Sequence, residues 1–397
     1  MSISVDEICN KFTVNQELNF IGLAITVHQA HGIDVCIAQL KKMGIVPKGF
    51  VLICSHKQTG RGLNKDFFYN LADDISVENF EYQYNHIKNH GAFWGGIFAY
   101  KSALLNKFNR QIFIASPDVN SKWINLIEQN VEQSKVISII IDDGAGSYMD
   151  PYHKFLNAQL RNYASKCKLQ LMFITRIRTM YLDGLTKMLI SNGRIIDNRI
   201  FLKTNESGIY RFSRNKNISE FYDALFRKIS NSIPHSEVCE FEGKVVINTQ
   251  CLKENNIINN DLDFKIYTSI VKQLRESGIP VVIKPHPREK DVQKYKRFGC
   301  SVYNNSKYSQ ESIIATTRKK PLCIISIMSS TLLNTYGIFG IPVISLAKLF
   351  QDEGSVDNNF KQQLGEFIEL YNEIFIFPRN ISELTETIVE MYKSLEK

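Results

Sequence analysis

Pro280-Val281-Val282-Ile283-Lys284-Pro285-His286-Pro287 is the stretch whose reading decides the fold. Its centre, Val281-Val282-Ile283, is β-branched and wholly apolar, and prolines punctuate it at both ends. A run with no polar position reads as a short strand buried on both faces, as in a parallel sheet. Lys284, His286 and Arg288 follow at once. Ligands of open α/β sheets sit outside the carboxyl ends of the strands. A histidine held between two prolines at that edge is placed to meet an anionic ligand.

The α/β pattern extends on both sides of this stretch. Upstream, 244–248 reads as a strand followed by the loop 249–251, and 263–277 reads as a helix with apolar residues at 266, 270, 271 and 274. Downstream come a short helix within 309–319, a strand at 321–326, the run Ile327-Met328-Ser329-Ser330-Thr331, a helix over 332–339, a strand at 342–345 and a terminal helix over 382–395.

The first half repeats the alternation. Strands are predicted at 19–27, 50–54, 110–115, 136–141 and 169–174, with helices at 33–42, 122–133 and 152–166. The stretch His28-Gln29-Ala30-His31-Gly32 reads as a loop. Strand, polar loop, helix, strand is the βαβ signature. The expected fold class is therefore α/β, with two Rossmann-like domains facing a central cleft. Residues 1–205 form an N-terminal, acceptor-binding domain. Residues 206–242 are mixed and polar and form a connection. Residues 243–380 form a C-terminal donor domain, and residues 381–397 form a terminal helix that returns to the first.

The chain of 397 residues is 44% hydrophobic and 22% charged, which is ordinary for a globular protein, and its length predicts two domains. A net charge of +8 points to an acidic partner: a charged sugar nucleotide, an anionic glycan or a membrane surface. No Lys/Arg block resembles a nucleic-acid arm, so nucleic acid is not expected. The eight cysteines lack CxxC spacing, and several, such as Cys54 and Cys323, lie in apolar runs. They read as small core residues in a reducing compartment. The acidic N-terminus carries no signal-peptide pattern, and no apolar run approaches the roughly 20 residues of a membrane span. The expected location is the cytoplasm, with peripheral contact at the inner membrane.

Three clusters could carry chemistry. Asp142-Asp143-Gly144 ends the most hydrophobic strand of the first half. Adjacent carboxylates cannot point the same way, and burial and a neighbouring like charge both raise a carboxyl pKa. One of them could take a proton from a hydroxyl, an effect worth about 10²–10⁴ in rate. Gly144 and Gly146 would let a substrate approach the backbone. The same residues also suit a turn with a helix cap. A protonated His286 could donate to a departing phosphate oxygen, with Lys284 and Arg288 adding positive field, or it could be a turn histidine satisfied by local backbone. Ser329-Ser330-Thr331 opens a helix after a buried strand, which suits an anion or simple N-capping. His28, Gln29 and His31 could line an acceptor site or belong to a polar loop. Phe93-Trp94-Gly95-Gly96 reads as core packing before sugar stacking, and Tyr267, Tyr295 and Tyr303 as packing or surface residues. No DxD-type metal motif stands at a strand end.

Together, Asp-Asp-Gly in the first half, His-Pro in the second and Ser-Ser about 40 residues later resemble the bacterial sialyltransferase pattern. The closest likeness is to the capsule polysialyltransferases and lipooligosaccharide sialyltransferases. It rests on 141–148 (IDDGAGSY) and 284–289 (KPHPRE) and spans roughly residues 20–347. The resemblance implies a GT-B architecture, CMP-sialic acid as donor and no metal. Carried over by position, Asp142 or Asp143 is the general base, with Asp142 preferred. His286 stabilises or protonates the departing CMP phosphate, and Pro287 fixes it. Ser329 and Ser330 hold the donor phosphate or carboxylate, alongside Thr331, Lys284 and Arg288. The implied function is inverting transfer of sialic acid to a sialoside or terminal galactoside in capsule or surface polysaccharide synthesis.

Two other readings stay open. One is a cytidylyl-linked transferase that uses CDP-glycerol or CMP-Kdo. The other is a non-catalytic module that recognises anionic glycans.

Overall fold

The computed structural model describes residues 2–3, 5–24, 26–54, 63, 65–71, 73–80, 110–116, 134–142, 195–206, 209–231, 233–254, 257–258, 261–287, 289, 291–305 and 308–395. The chain forms two compact units, Met1–Arg199 and Ile200–Lys397.

The first unit holds β1 (Ser2–Ile3), α1 (Val5–Val14), β2 (Phe20–Ala24), α2 (Val27–Lys42), β3 (Gly49–Cys54), β4 (Ile75–Phe80), β5 (Arg110–Ser116), β6 (Ser134–Ile141) and β7 (Ile195–Asn198). Its strands pair in parallel in the order β1-β4-β3-β2-β5-β6-β7. Leaving β1 aside, this is the 3-2-1-4-5-6 order of a doubly wound sheet, with its reversal between β2 and β5. The core is made by one face of α2 (Ile33, Cys36, Ile37, Leu40) packed on Phe20, Val51, Phe113 and Ile139. Gly22 permits that packing: a Cβ there would lie 3.0 Å from two carbons of the Ile33 side chain. Cys36 lies in this core, where burial pushes its thiol up to about 12.

α2 corrects the sequence reading. His28–Gly32, expected as a loop, are helical. Thr26 is the N-cap: its hydroxyl accepts from the Gln29 N–H, and Gln29 Oε1 accepts from the Thr26 N–H, both at 3.3 Å. This capping box starts the helix six residues before the apolar spacing begins. The predicted strand at 19–27 is correspondingly shorter. The strand predicted at 169–174 and the helices at 122–133 and 152–166 lie outside the described residues, as do Phe93–Gly96.

The second unit opens with an antiparallel hairpin, β8 (Phe201–Glu206) and β9 (Ile209–Arg214), followed by α3 (Lys216–Ser230) and α4 (His235–Cys239). The 206–242 stretch thus belongs to this unit. Then come β10 (Val245–Asn248), α5 (Leu262–Glu276), β11 (Val281–Lys284), β12 (Ser301–Val302), α6 (Gln310–Thr316), β13 (Cys323–Ser326), α7 (Ser330–Asn334), β14 (Val343–Ser345), α8 (Ala347–Gln351), α9 (Asn358–Tyr371) and α10 (Ile381–Leu395). The strands are parallel in the order β12-β11-β10-β13-β14, which is 3-2-1-4-5. Val281, Val282 and Ile283 are all buried, as their lack of polar neighbours requires. Ile266, Tyr267, Ile270, Val271 and Leu274 are the buried stripe of α5. α10 packs on α5, where Thr385 Oγ1 donates to Gln273 Oε1 at 2.8 Å. Tyr267, Tyr295 and Tyr303 are core residues.

Both units are therefore Rossmann-like, and the class is α/β of GT-B type. No helix among the described residues is long and apolar enough to cross a membrane.

Candidate active site

In the first unit the groups of interest lie at the carboxyl ends of the strands. Asp142 follows β6 directly and is 1% exposed. His28 stands in the first turn of α2, after β2, and its Nε2 lies 3.6 Å from Asp142 Oδ1. The imidazole is the more accessible partner, with 21% of its side chain exposed. A buried carboxylate behind a more exposed imidazole can orient the ring and stabilise its protonated form, which is the logic of Asp-His pairs in general acid–base sites.

The other two candidates from this segment have different surroundings. Gln29 is buried and used in the capping box. His31 is buried, and its pKa falls from 6.5 to about 3, first through burial and second through charge on His28, so it is neutral near pH 7. Asp34, one turn on, accepts from the Tyr69 and Asn70 N–H groups at 2.7 and 3.0 Å and anchors that segment. Asp143 and Gly144 lie outside the described residues.

In the second unit the candidates collect at the carboxyl edge of the sheet, around the reversal of strand order between β10 and β13. Gln250, after β10, donates from Nε2 to the Met328 carbonyl after β13, which ties the two loops together. Asn248 ends β10 with its carboxamide buried, and neither polar atom meets a partner among the described residues. Lys284 ends β11 beside it in register and is half-buried. Burial lowers its pKa, and the Glu311 carboxylate works in the opposite direction. Glu311 in turn accepts from Asn334 Nδ2 at 2.9 Å.

His286 sits in a fixed turn. Its N–H donates to Thr249 Oγ1 at 3.1 Å and Glu289 Oε2 at 2.9 Å, and its carbonyl accepts from the Glu289 N–H at 2.9 Å. Glu289 is buried and also accepts from the Thr249 and Tyr295 hydroxyls, the latter at 2.5 Å, with Lys294 Nζ 3.6 Å away. Pro285 is buried and Pro287 is exposed, so the clasp on His286 comes from Glu289 as well as from the prolines. Arg288 lies outside the described residues.

Ser329 caps α7: its hydroxyl accepts from the Thr331 N–H at 3.2 Å. Ser330 is exposed and Thr331 half-buried. The helix then continues as a π-helical turn, Thr335–Phe339. Among the described residues no group of three or more His, Cys, Asp or Glu side chains could hold a metal ion.

Cys251, Thr249 and Glu289, which contact His286, and Tyr295, which contacts Glu289, were not legible as site residues. Only Glu289 carried a signal, as a carboxylate three residues beyond a histidine in a proline turn.

A family model described as alpha-2,8-polysialyltransferase (POLYST) matches residues 76–348, more than half of the chain. Among curated proteins no sequence matches. Among solved structures, a protein described as a UDP-N-acetylglucosamine 2-epimerase from Listeria monocytogenes is similar over 96% of this chain and 89% of that one, at 9% identity and a TM-score of 0.50. An alpha/beta-galactoside alpha-2,3-sialyltransferase from Photobacterium phosphoreum is similar over 89% and 95%, at 12% identity and a TM-score of 0.44. At 9% identity the likeness to the epimerase speaks for fold alone.

Proposed function

The chain belongs to the alpha-2,8-polysialyltransferase family, and from that premise we propose that it transfers sialic acid from CMP-sialic acid to a glycan hydroxyl. The observation that supports this most is the span of the family match, which includes Asp142, His286 and Ser329-Ser330.

In the proposed reaction the bond between the anomeric carbon and the phosphate oxygen of CMP breaks, and a bond from the acceptor oxygen to that carbon forms on the opposite face, with inversion. The acceptor proton passes to the Asp142/Asp143 pair. Asp142 is the preferred base, with His28 as its neighbour at 3.6 Å. His286 faces the departing phosphate and offsets the charge that develops there. Lys284, Arg288, Ser329, Ser330 and Thr331 bind the donor, Gly144 admits it close to the backbone, and Pro287 restrains His286. A single phosphate leaving group needs less charge compensation than a diphosphate, so cationic side chains suffice and a metal is not required.

The proposed acceptor is a sialoside or galactose-terminated glycan of a capsule or surface polysaccharide. The proposed place of work is the cytoplasmic side of a membrane, with peripheral contact.

The test is a donor panel of CMP-sialic acid, CMP-Kdo and CDP-glycerol, each with a sialoside or galactoside acceptor, read as nucleotide release and glycan product. Turnover of CMP-sialic acid alone is expected, with loss of product in His286→Asn. Turnover of CDP-glycerol instead, or glycan binding without any nucleotide release, would remove the proposal.

A further inference from the structure

Cys251 has no part in the reaction described so far. It lies three residues beyond β10, is 5% exposed, and its Sγ is 3.0 Å from Nδ1 of His286. The two residues come from loops after neighbouring strands, since Asn248 is in register with Lys284. The His286 main chain is already fixed by Thr249 and Glu289. What the sulfur adds is a constraint on the ring itself.

A neutral imidazole has one N–H and one acceptor nitrogen, and its partners decide which is which. A thiol facing Nδ1 has a proton to give. With the thiol as donor, Nδ1 is the acceptor and the ring proton resides on Nε2, on the far side of the ring from the sulfur.

We propose that Cys251 is a positioning residue for His286: its S–H···Nδ1 contact keeps the ring oriented with Nε2–H turned outward, toward the leaving phosphate. In the imidazolium form Nδ1–H points at the sulfur as a weak acceptor, and Nε2–H keeps the same direction. The contact therefore serves both charge states. A carboxylate at the same place would favour the cation alone. No bond is made to sulfur at any step. The inference rests on the leaving-group role proposed for His286.

The experiment uses the full chain. Cys251→Val keeps a buried apolar side chain of similar bulk and removes the donor, whereas Cys251→Ser keeps a donor. Losing one hydrogen bond that acts in the transition state is expected to lower kcat by about tenfold in Cys251→Val. Donor KM should stay within about twofold of wild type, since ground-state binding is untouched, and Cys251→Ser should recover most of the rate. The wild type supplies a second measurement with Cys251 in place: ¹⁵N NMR of histidine-labelled protein at pH 8, with His286 assigned by its loss in His286→Asn. The proton is expected on Nε2. A proton on Nδ1, or Cys251→Val at the wild-type kcat, would overturn the inference while leaving the role of His286 intact. Full activity in His286→Asn would instead remove the role on which it rests.

Discussion

His28 Nε2 lies 3.6 Å from Asp142 Oδ1, and the two residues reach each other from α2 and the end of β6. Coupling between them is measurable. If His28 assists Asp142 as it takes the acceptor proton, either single change should remove most of what the double change removes. Asp142→Asn is expected to lower kcat by about 10²–10⁴. A double-mutant cycle with His28→Ala should show an interaction nearly as large as the single loss, about 2.7 kcal/mol or more in kcat/KM. Additive losses would mean that the contact has no part in the chemistry.

His31 provides a pH dependence of stability in the same helix. Its folded pKa of about 3 lies below the unfolded value of 6.5. Between these values the unfolded chain binds the proton and the folded one does not, so stability rises with pH across that window. The contribution is complete above 6.5 and is lost progressively as pH falls toward 3. Urea melts of wild type and His31→Gln should therefore give a stability difference that is flat above neutrality and shifts against wild type in acid. Parallel curves down to pH 4 would show that His31 is not held neutral by burial.

The sequence made the parallel sheets legible because a doubly buried strand leaves no room for polar residues, as in Val281–Ile283 and Cys323–Ser326. It also made His286 and Asp142 visible, since each stands just past such a run. β4, with the sequence ISVENF, and the hairpin β8–β9 were not anticipated, because polar residues interrupt their apolar positions. The start of α2 was missed for another reason. The helix opens on the Thr26/Gln29 capping box, six residues before its apolar spacing begins. Of the shell around His286, only Glu289 stood close enough in sequence to carry a signal. Cys251 and Thr249 lie 35 and 37 residues from His286 in sequence, and only the register of β10 against β11 brings them there.

Glu289 ties that shell to stability. Burial raises its pKa above 4.5, although Thr249, Tyr295, the His286 amide and Lys294 all favour the charged form. The folded state thus holds the proton more tightly than the unfolded state, and this residue's contribution to stability declines as pH rises through and above 4.5. Glu289→Gln removes the cost of burying charge and can still accept from the His286 N–H. It should be at least as stable as wild type at pH 7, with the gap narrowing in acid. Glu289→Ala leaves the Thr249 and Tyr295 hydroxyls without their acceptor and the His286 amide with Thr249 Oγ1 alone, and a loss of about 1–3 kcal/mol is expected. Chemical denaturation of both variants between pH 4 and 8 tests this, and Glu289→Ala at wild-type stability would contradict it.

Ser329 and Ser330 are adjacent but are expected to respond differently. The Ser329 hydroxyl is used in capping α7, where it accepts from the Thr331 N–H. Its loss in Ser329→Ala should cost about 1 kcal/mol of stability, as for other caps. Ser330 is exposed and begins the helix. Among the described residues its hydroxyl has no such structural duty, and first-turn N–H groups together with a hydroxyl favour an anion. Under the proposed donor role, Ser330→Ala should therefore raise the KM for CMP-sialic acid several-fold at unchanged melting temperature. Ser329→Ala should lower the melting temperature whatever it does to KM. Steady-state kinetics paired with thermal melts separate the two effects. A Ser330→Ala protein with wild-type KM would confine the Ser-Ser pair to capping, and the donor phosphate would have to be held by Lys284 and its neighbours alone.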